Sequence, residues 1–399
     1  MIIMIKYTHI VIHYSELGIK KGNRSKFESQ LIKNISHSLE SYVLRVHRRY
    51  GIVVCVLKED LKEKDLKEIE EKLSQVIGIS FFAFVVACKK EINDIANSVF
   101  NLIKEKEFAS FKINSRRSNK QFPHSSQQIN EIIGAKVVEL FSKKVNLDKP
   151  DLEIFIEVTE KEVFVYSKKH SGVCGLPIGS SGTVICSLSG GIDSPVSAYY
   201  LMTRGCKVVF VHILSGNLQV NSLKSKIYKL CETLSKFQNS AKLYVVPFSE
   251  IQKQIITFVP ADYRMIVYRR YMLKIMCQIA KKENAKAIVT GDSVGQVASQ
   301  TLDNLLCIYD ASSLPILSPL IGLNKEEIIS VAKKIGTYDL SILPYPDCCS
   351  FMVDKHPQTK AKLDFVIDLE KNIVDSDKLI FDAISKTELI KISKNQENL

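Results

Sequence analysis

The chain has 399 residues, 46% hydrophobic and 25% charged, the balance of a globular protein with two or three domains. No apolar run approaches the roughly 18 residues of a membrane span, and Lys6, His9, His13 and Glu16 interrupt the apolar N-terminus, so the expectation is a cytoplasmic protein without signal peptide or membrane partner. A formal charge of +12 favours a polyanionic partner, nucleic acid first, and ten scattered cysteines without a CxxC pair argue for reduced thiols and against structural zinc.

In chain order, residues 7–14 alternate as a strand. The following stretch places Phe27, Leu31, Ile35 and Leu39 on one helix face. "RRYGIVVCVL" reads as a strand, residues 60–77 as a helix with Leu66, Ile69, Leu73 and Val76 inward, "SFFAFVVAC" as a strand and residues 91–106 as a helix. "SFKINSRR" is a strand leading through a polar loop to a helix with Ile129, Ile133, Val137 and Leu140 on one side. "DLEIFIEVT" and "EVFVYSKKH" form a hairpin. Gly, Pro and Ser cluster at residues 171–183 and mark a junction.

Beyond residue 183, strands and helices alternate: "TVICSLS", a helix over 194–204, "CKVVFVHIL", a helix over 221–236, "AKLYVVPF", a helix over 263–283 and "KAIVTGD". This order predicts a mostly parallel, doubly wound sheet that binds ligand at the carboxyl ends of its strands.

"LSGGIDSP" lies between the first of these strands and its helix. Gly190 and Gly191 let peptide N–H groups approach an anion. The helix N-terminus adds orphan donors and positive potential, and Ser189 and Ser194 add hydroxyls. Asp193 beside phosphate requires magnesium or a cationic partner. The lysine and spacing of a Walker A loop are absent. SGGxDS after a buried strand resembles the PP-loop of ATP pyrophosphatases, which implies cleavage of ATP between its α- and β-phosphates and adenylylation of a substrate carbonyl.

Three further stretches narrow the resemblance. "FKINSRRSNKQFPHSSQQINEIIG" resembles the RNA-binding THUMP domain; from Phe108 to Asn130 it has no acid, and Lys112, Arg116, Arg117 and Lys120 are its cations. "VYRRYMLKIMCQIA" followed by "TGDSVGQVASQTLDNL" resembles the tRNA 4-thiouridine synthetase (tRNA sulfurtransferase) family. "LPYPDCCSFMVDKHPQTKAK" resembles that family's cysteine-bearing loop. "YSELGIKKGNR" resembles its N-terminal ferredoxin-like domain, with His13 and Ser15 in place of the expected Arg and Gly.

The resemblance implies a multidomain α+β and α/β fold. A ferredoxin-like domain over 1–62 precedes a THUMP domain over 63–168 and a doubly wound, parallel-sheet PP-loop ATP pyrophosphatase domain over 169–399. It implies that ATP with Mg2+ adenylylates the C4 oxygen of uridine 8 in tRNA, and that a cysteine persulfide charged by a cysteine desulfurase displaces AMP. A homodimer and a second role, sulfur transfer to a sulfur-carrier protein for thiazole synthesis, are further family expectations.

Carried over residue by residue, the resemblance puts Ser187 and Leu188 beside ATP and gives the phosphates to Ser189, Gly190, Gly191 and Ser194, with Asp193 on the metal–pyrophosphate unit. It adds His212, Ile213, Arg269, Gly291 and Gln300 to the nucleotide site; no residues are assigned as a resident metal centre. Cys348 or Cys349 carries the sulfur, with Lys355 and His356 as nearby cations that would favour a thiolate. Longer family members add a rhodanese-like domain. The residues after Cys349 are too few for one, so sulfur is expected to arrive directly from the desulfurase or with help from another cysteine. The alternatives are an ammonia-using amidating PP-loop synthetase, which needs neither the basic segment nor paired cysteines, and a tRNA-binding protein with a degenerate catalytic domain, which the intact SGGIDS opposes.

Overall fold

The computed structural model describes residues 6–19, 21–49, 51–214, 220–344 and 356–393. The chain divides into two compact units, Met1–Pro177 and Ile178–Leu399.

The first unit begins with β1 (His9–Tyr14), α1 (Arg24–Ser38), β2 (Val43–Arg49), β3 (Ile52–Leu57), α2 (Glu63–Gln75) and β4 (Ile79–Cys88). The strands lie in the order β2-β3-β1-β4, all neighbours antiparallel, which is the βαββαβ arrangement of a ferredoxin-like fold. The four-residue spacing in α1 buries Leu31 and Ile35 completely, with Leu39 beyond the helix end. Ile69 and Leu73 of α2 pack in that same core, so the boundary expected after residue 62 falls between β3 and α2, two elements of one core. The stretch read as a single strand at 48–57 is a hairpin. Gly51, at φ +80°, turns the chain between β2 and β3.

The unit continues with α3 (Ile92–Ile103), β5 (Ser110–Arg117), α4 (Ser126–Phe141), β6 (Lys144–Val145), β7 (Leu152–Val158), β8 (Val163–Tyr166) and β9 (His170–Ser171). Ser125 and Gln128 form a capping box at the start of α4. Ile129, Ile133 and Val137 are buried as their spacing predicts, whereas Leu140 in the last turn is exposed. The expected hairpin of β7 and β8 is present. β4 belongs to both halves: residues 79–85 pair with β1, and residues 86–88 pair with β8. One sheet therefore runs through the unit.

The second unit contains β10 (Thr183–Ser187), α5 (Asp193–Thr203), β11 (Lys207–Leu214), α6 (Val220–Gln238), β12 (Ser240–Pro247), α7 (Ser249–Phe258), α8 (Arg264–Glu283), β13 (Ile288–Val289), α9 (Leu302–Tyr309), β14 (Ile316–Leu317), α10 (Lys325–Lys334), α11 (Tyr338–Ser341), α12 (Leu363–Lys371), α13 (Ser376–Ser385) and β15 (Glu388–Ser393). The order β14-β13-β10-β11-β12-β15 is parallel except for β15, which pairs antiparallel with β12. The central strands are apolar runs because helices cover both faces. α7, α8, α12 and α13 share a core on one face, while α5, α6 and α10 pack together. The order reverses between β10 and β13, and a doubly wound sheet opens a ligand crevice at that switch point.

Candidate functional site

The switch point places two loops together. One follows β10 and carries the SGGIDS sequence; the other follows β13 and begins Thr290-Gly291-Asp292. Their approach is close: a Cβ added to Gly291 would lie 3.1 Å from Asp193 Cβ and 3.2 Å from the Ser194 nitrogen. Gly291 thus makes room for the start of α5. Ser197 Oγ, one turn further on, donates to the Thr290 carbonyl at 3.0 Å and locks the helix to β13.

The SGGIDS loop holds its own shape. The Ser189 N–H donates to Ser194 Oγ at 2.9 Å, the two hydroxyls are 3.0 Å apart, and the Gly191 N–H donates to Ser189 Oγ at 3.2 Å. The N-cap position of α5 is Ile192, which supplies no capping side chain. The first N–H groups of α5 are consequently free of a side-chain cap, the arrangement that receives an anion. Ser194 is buried, and Cys186 beneath the loop is fully buried, its thiol pushed up to about 12 by burial.

Asp193 has the cationic partner that an acid in such a loop needs. Lys325 Nζ at the first position of α10 lies 2.6 Å from Asp193 Oδ1, and Gln296 Nε2 donates to Oδ2 at 2.9 Å. One carboxylate at the edge of a phosphate-sized loop suits magnesium, which takes one or two protein carboxylates and completes its octahedron with phosphate oxygens and water. Among the described residues there is no cluster of three His, Cys, Asp or Glu side chains that would hold a metal ion alone.

A cavity of about 490 Å³ opens beside this loop, and Ser187, Ser189, Gly191, Asp193, Ser194 and Gly291 contribute to its wall. Met265, Arg269, Met272 and Met276 of α8 line it from one helix face. Arg269 and Arg270, adjacent in sequence, separate here. Arg269 Nη2 sits 2.6 and 2.8 Å from the two oxygens of Asp292, whereas buried Arg270 faces Glu370, Asp310 and the Cys307 carbonyl. Gln300, also in the cavity wall, donates from Nε2 to Asp292 Oδ1 at 3.2 Å, and the Tyr309 hydroxyl donates to Oδ2 at 2.8 Å.

His212 and Ile213 are buried in β11 rather than in this wall. His212 Nδ1 donates to the Leu188 carbonyl at 2.8 Å and steadies the segment entering the loop. Gly190 carries no side chain and lies in the loop itself. Cys348, Cys349 and Lys355 lie outside the described residues. The segment that follows them is fastened to the cavity wall. Fully buried Asn304 donates from Nδ2 to the carbonyls of Ala298 and Gln358, both at 2.7 Å, and accepts from the Ala361 N–H at 3.1 Å. Pro357 and Gln358 reach the cavity.

Four residues of this site have no place in the sequence expectations. Asp292 and Gln296 sit inside the TGDSVGQ stretch and carried a positional signal. Lys325 and Tyr309 carried none, Lys325 being 132 residues from its partner.

In the first unit, a cleft of about 890 Å³ is lined by His13, Arg24, Lys90, Arg116, Arg117 and Lys120, among others. Lys112 is not in this wall; its Nζ donates to the Leu147 carbonyl at 2.9 Å. Arg116 and Lys120 are exposed, but Arg117 Nη1 donates to the Phe122 and His124 carbonyls at 3.2 and 2.8 Å and braces the loop. Strand alternation explains the difference: Lys112 and Arg116 share one face of β5 and Arg117 takes the other. His13, standing where an arginine was expected, donates from Nε2 to buried Glu157 at 2.9 Å.

Comparison with known proteins follows this division. Residues 179–374 match the family model "Thiamine biosynthesis protein (ThiI)", residues 89–168 match "THUMP domain", and residues 9–83 match "ThiI ferredoxin-like domain". The chain is 38% identical over 394 residues to a "Probable tRNA sulfurtransferase" of Geobacillus sp. (strain WCH70), covering 98% of this chain and 97% of that protein. A "Probable tRNA sulfurtransferase" of Clostridium acetobutylicum is 36% identical, with 99% of each chain covered. A solved 4-thiouridine synthetase–RNA complex with bound ATP superposes with a TM-score of 0.88 at 29% identity, covering 97% of this chain and 100% of that one.

Proposed function

The chain belongs to the tRNA sulfurtransferase family, and from that premise we propose how this site performs ATP-dependent transfer of sulfur to uridine at position 8 of tRNA. The observation that carries the reading is Asp193, held between Lys325 and Gln296 at the uncapped N-terminus of α5, on the rim of the switch-point cavity.

ATP enters with its phosphates on the Ser189–Ser194 loop. The N–H groups of the loop and of α5 receive the phosphoryl oxygens, as do the Ser189 and Ser194 hydroxyls once their mutual contact yields. Gly190 and Gly191 permit that approach. Ser187, Leu188, His212, Ile213, Arg269, Gly291 and Gln300 complete the nucleotide site. Some touch ATP, and others, such as His212 and Gly291, shape the segment that does. Asp193 would hold magnesium, which when bound would neutralise charge on the departing pyrophosphate. Lys325 orients Asp193 and adds positive charge on the same side.

The C4 oxygen of the uridine attacks the α-phosphorus, and the bond to the bridging oxygen of the β-phosphate breaks. The resulting adenylate makes C4 electrophilic. The terminal sulfur of a persulfide on Cys348 or Cys349 then attacks C4 and AMP leaves, giving a C4–S–S–Cys adduct. A second thiolate attacks the cysteine sulfur, so that the S–S bond breaks, 4-thiouridine departs and a disulfide forms, which a small-molecule thiol or a dithiol reductant returns to thiols. The five other cysteines of the second unit are all buried, which supports assigning the sulfur to this pair. A cysteine desulfurase supplies the sulfur, and the chain acts as a homodimer in the cytoplasm. Among the described residues no helix is long and apolar enough to cross a membrane. Arg116 and Lys120 contact tRNA phosphates, while Arg117 positions their loop. The thiamine-biosynthesis family match favours a second acceptor, a sulfur-carrier protein.

Pyrophosphate release that requires unmodified tRNA tests this reading. Asp193→Ala is expected to abolish release and leave tRNA affinity intact. Release that is indifferent to tRNA would overturn it.

A further inference from the structure

We propose that Asp292 is a positioning residue that fixes Gln300 as a hydrogen-bond acceptor toward the nucleotide. This inference rests on the cavity being the ATP site, and it adds a source of nucleotide selectivity.

Asp292 follows β13 and is only 2% exposed. Its carboxylate accepts from Arg269 Nη2, from Gln300 Nε2 and from the Tyr309 hydroxyl. Burial, followed by the charge of Asp292, raises the Tyr309 phenol, which keeps its proton and remains a donor. The Thr290 and Ser318 hydroxyls, 2.9 Å apart, extend the network, with Ser318 Oγ 2.7 Å from the Tyr309 hydroxyl.

An ionised carboxylate only accepts hydrogen bonds. A glutamine amide beside it must therefore turn its NH2 toward the carboxylate. The carbonyl end of Gln300 then points away from Asp292, and Gln300 Oε1 is a buried acceptor with no protein partner among the described residues. A buried acceptor left unpaired costs stability, and a site built around one selects a ligand that donates to it. Gln300 lines the cavity, so a small shift of its side chain on nucleotide entry presents this acceptor to an O–H or N–H of the bound nucleotide. A ribose hydroxyl and the exocyclic amine of adenine share that chemistry.

The test uses the full chain, unmodified tRNA and initial rates of pyrophosphate release with ATP, 2'-deoxy-ATP, 3'-deoxy-ATP and inosine triphosphate. Wild-type protein is expected to show a KM at least about tenfold higher for the analogue that lacks the selected donor. A loss confined to a deoxy analogue assigns a ribose hydroxyl, and a loss confined to inosine triphosphate assigns the amine.

Asp292→Asn can itself donate to the amide and so permits the opposite orientation of Gln300. It should raise the KM for ATP toward that of the rejected analogue and erase the difference between them, with kcat less affected. Gln300→Glu, facing Asp292, should show the same loss. The double variant D292N/Q300E restores one donor–acceptor pair with the original net charge and should recover the selectivity of wild type. The rescue is measured against Q300E, so it remains decisive where D292N folds poorly.

Wild-type selectivity retained in D292N, no rescue in the double variant, or no selectivity in wild type overturns the inference. Each of those results is read on an enzyme that still releases pyrophosphate with tRNA, so the proposed function survives them. Absence of tRNA-dependent release in wild type removes both.

Discussion

Lys325 Nζ and Asp193 Oδ1 are 2.6 Å apart, so the first residue of α10 is ion-paired to the first residue of α5 at the edge of the switch-point cavity. The pair answers the electrostatic difficulty of an acid in a phosphate-binding loop. In the proposed mechanism it also places a cation where charge builds as pyrophosphate leaves.

Lys325→Met should therefore lower tRNA-dependent pyrophosphate release by on the order of 100-fold, the size of effect seen when one preorganised transition-state donor is removed. Its tRNA affinity should match wild type in a gel-shift titration. A rate within a few-fold of wild type would remove Lys325 from the chemistry.

Gly291→Ala should damage the site without removing any polar group. The new Cβ meets the Asp193 backbone carbonyl carbon and the Ser194 nitrogen, both at 3.2 Å. Backbone must shift to admit it, at a cost of about 1–3 kcal/mol. The expected result is a lower melting temperature together with at least tenfold weaker ATP binding by calorimetry. Unchanged ATP affinity would mean that the approach of the two loops is not needed for binding.

The basic segment of the first unit divides into two roles. Arg116→Ala with Lys120→Ala should flatten the dependence of log affinity for tRNA on log salt by roughly one for each phosphate left without its cation. Arg117→Ala should instead lower the melting temperature, since it removes the donors that hold the Phe122 and His124 carbonyls. Equal salt slopes for wild type and the double variant would take Arg116 and Lys120 out of the interface.

Glu157 gives the first unit a pH signature. Burial pushes its carboxyl up, but the hydrogen bonds from His13 and Tyr166 and the positive charge of His13 outweigh that push and hold it below the ordinary value of 4.5. A group lowered on folding contributes stability above its unfolded value and loses it as pH falls through the folded one. The stability gap between wild type and Glu157→Gln should be present just above pH 4.5 and shrink as pH falls below about 4.5. Urea unfolding followed at a series of pH values checks this, and a constant gap would contradict it.

Serine at Cys348 and at Cys349, placed singly, should separate activation from transfer. One variant is expected to release pyrophosphate with tRNA yet form no thiolated product. If both thiolate normally, the sulfur travels by another cysteine.

The folding pattern was legible where local chemistry decides it. β5 spans the residues that its alternation predicts, and the βαβα order foretold the doubly wound sheet. The hairpin of β2 and β3 was not legible, because Arg45, His47 and Arg49 break the apolar alternation and Gly51 alone marks the turn. α7 was hidden between a strong strand and a stronger helix.

At the site, the strand–glycine–helix sequence marked the candidate phosphate loop. Lys325 was invisible because only the packing of α10 against α5 brings it to Asp193. Composition and spacing alone did not tell the paired arginines apart; the family resemblance singled out Arg269, and the phase of α8 turns Arg269 to the cavity and Arg270 to the core. Likewise, Arg116 and Arg117 looked equivalent until strand alternation sent them to opposite faces of β5.

Thiolation of tRNA by this site is tested most directly by mass spectrometry of nucleosides and mapped fragments of tRNA from cells with and without the protein. 4-Thiouridine is expected at position 8 when wild-type protein is present, and should disappear both in cells lacking the protein and in those carrying Asp193→Ala. Undiminished 4-thiouridine in cells lacking the protein would contradict it.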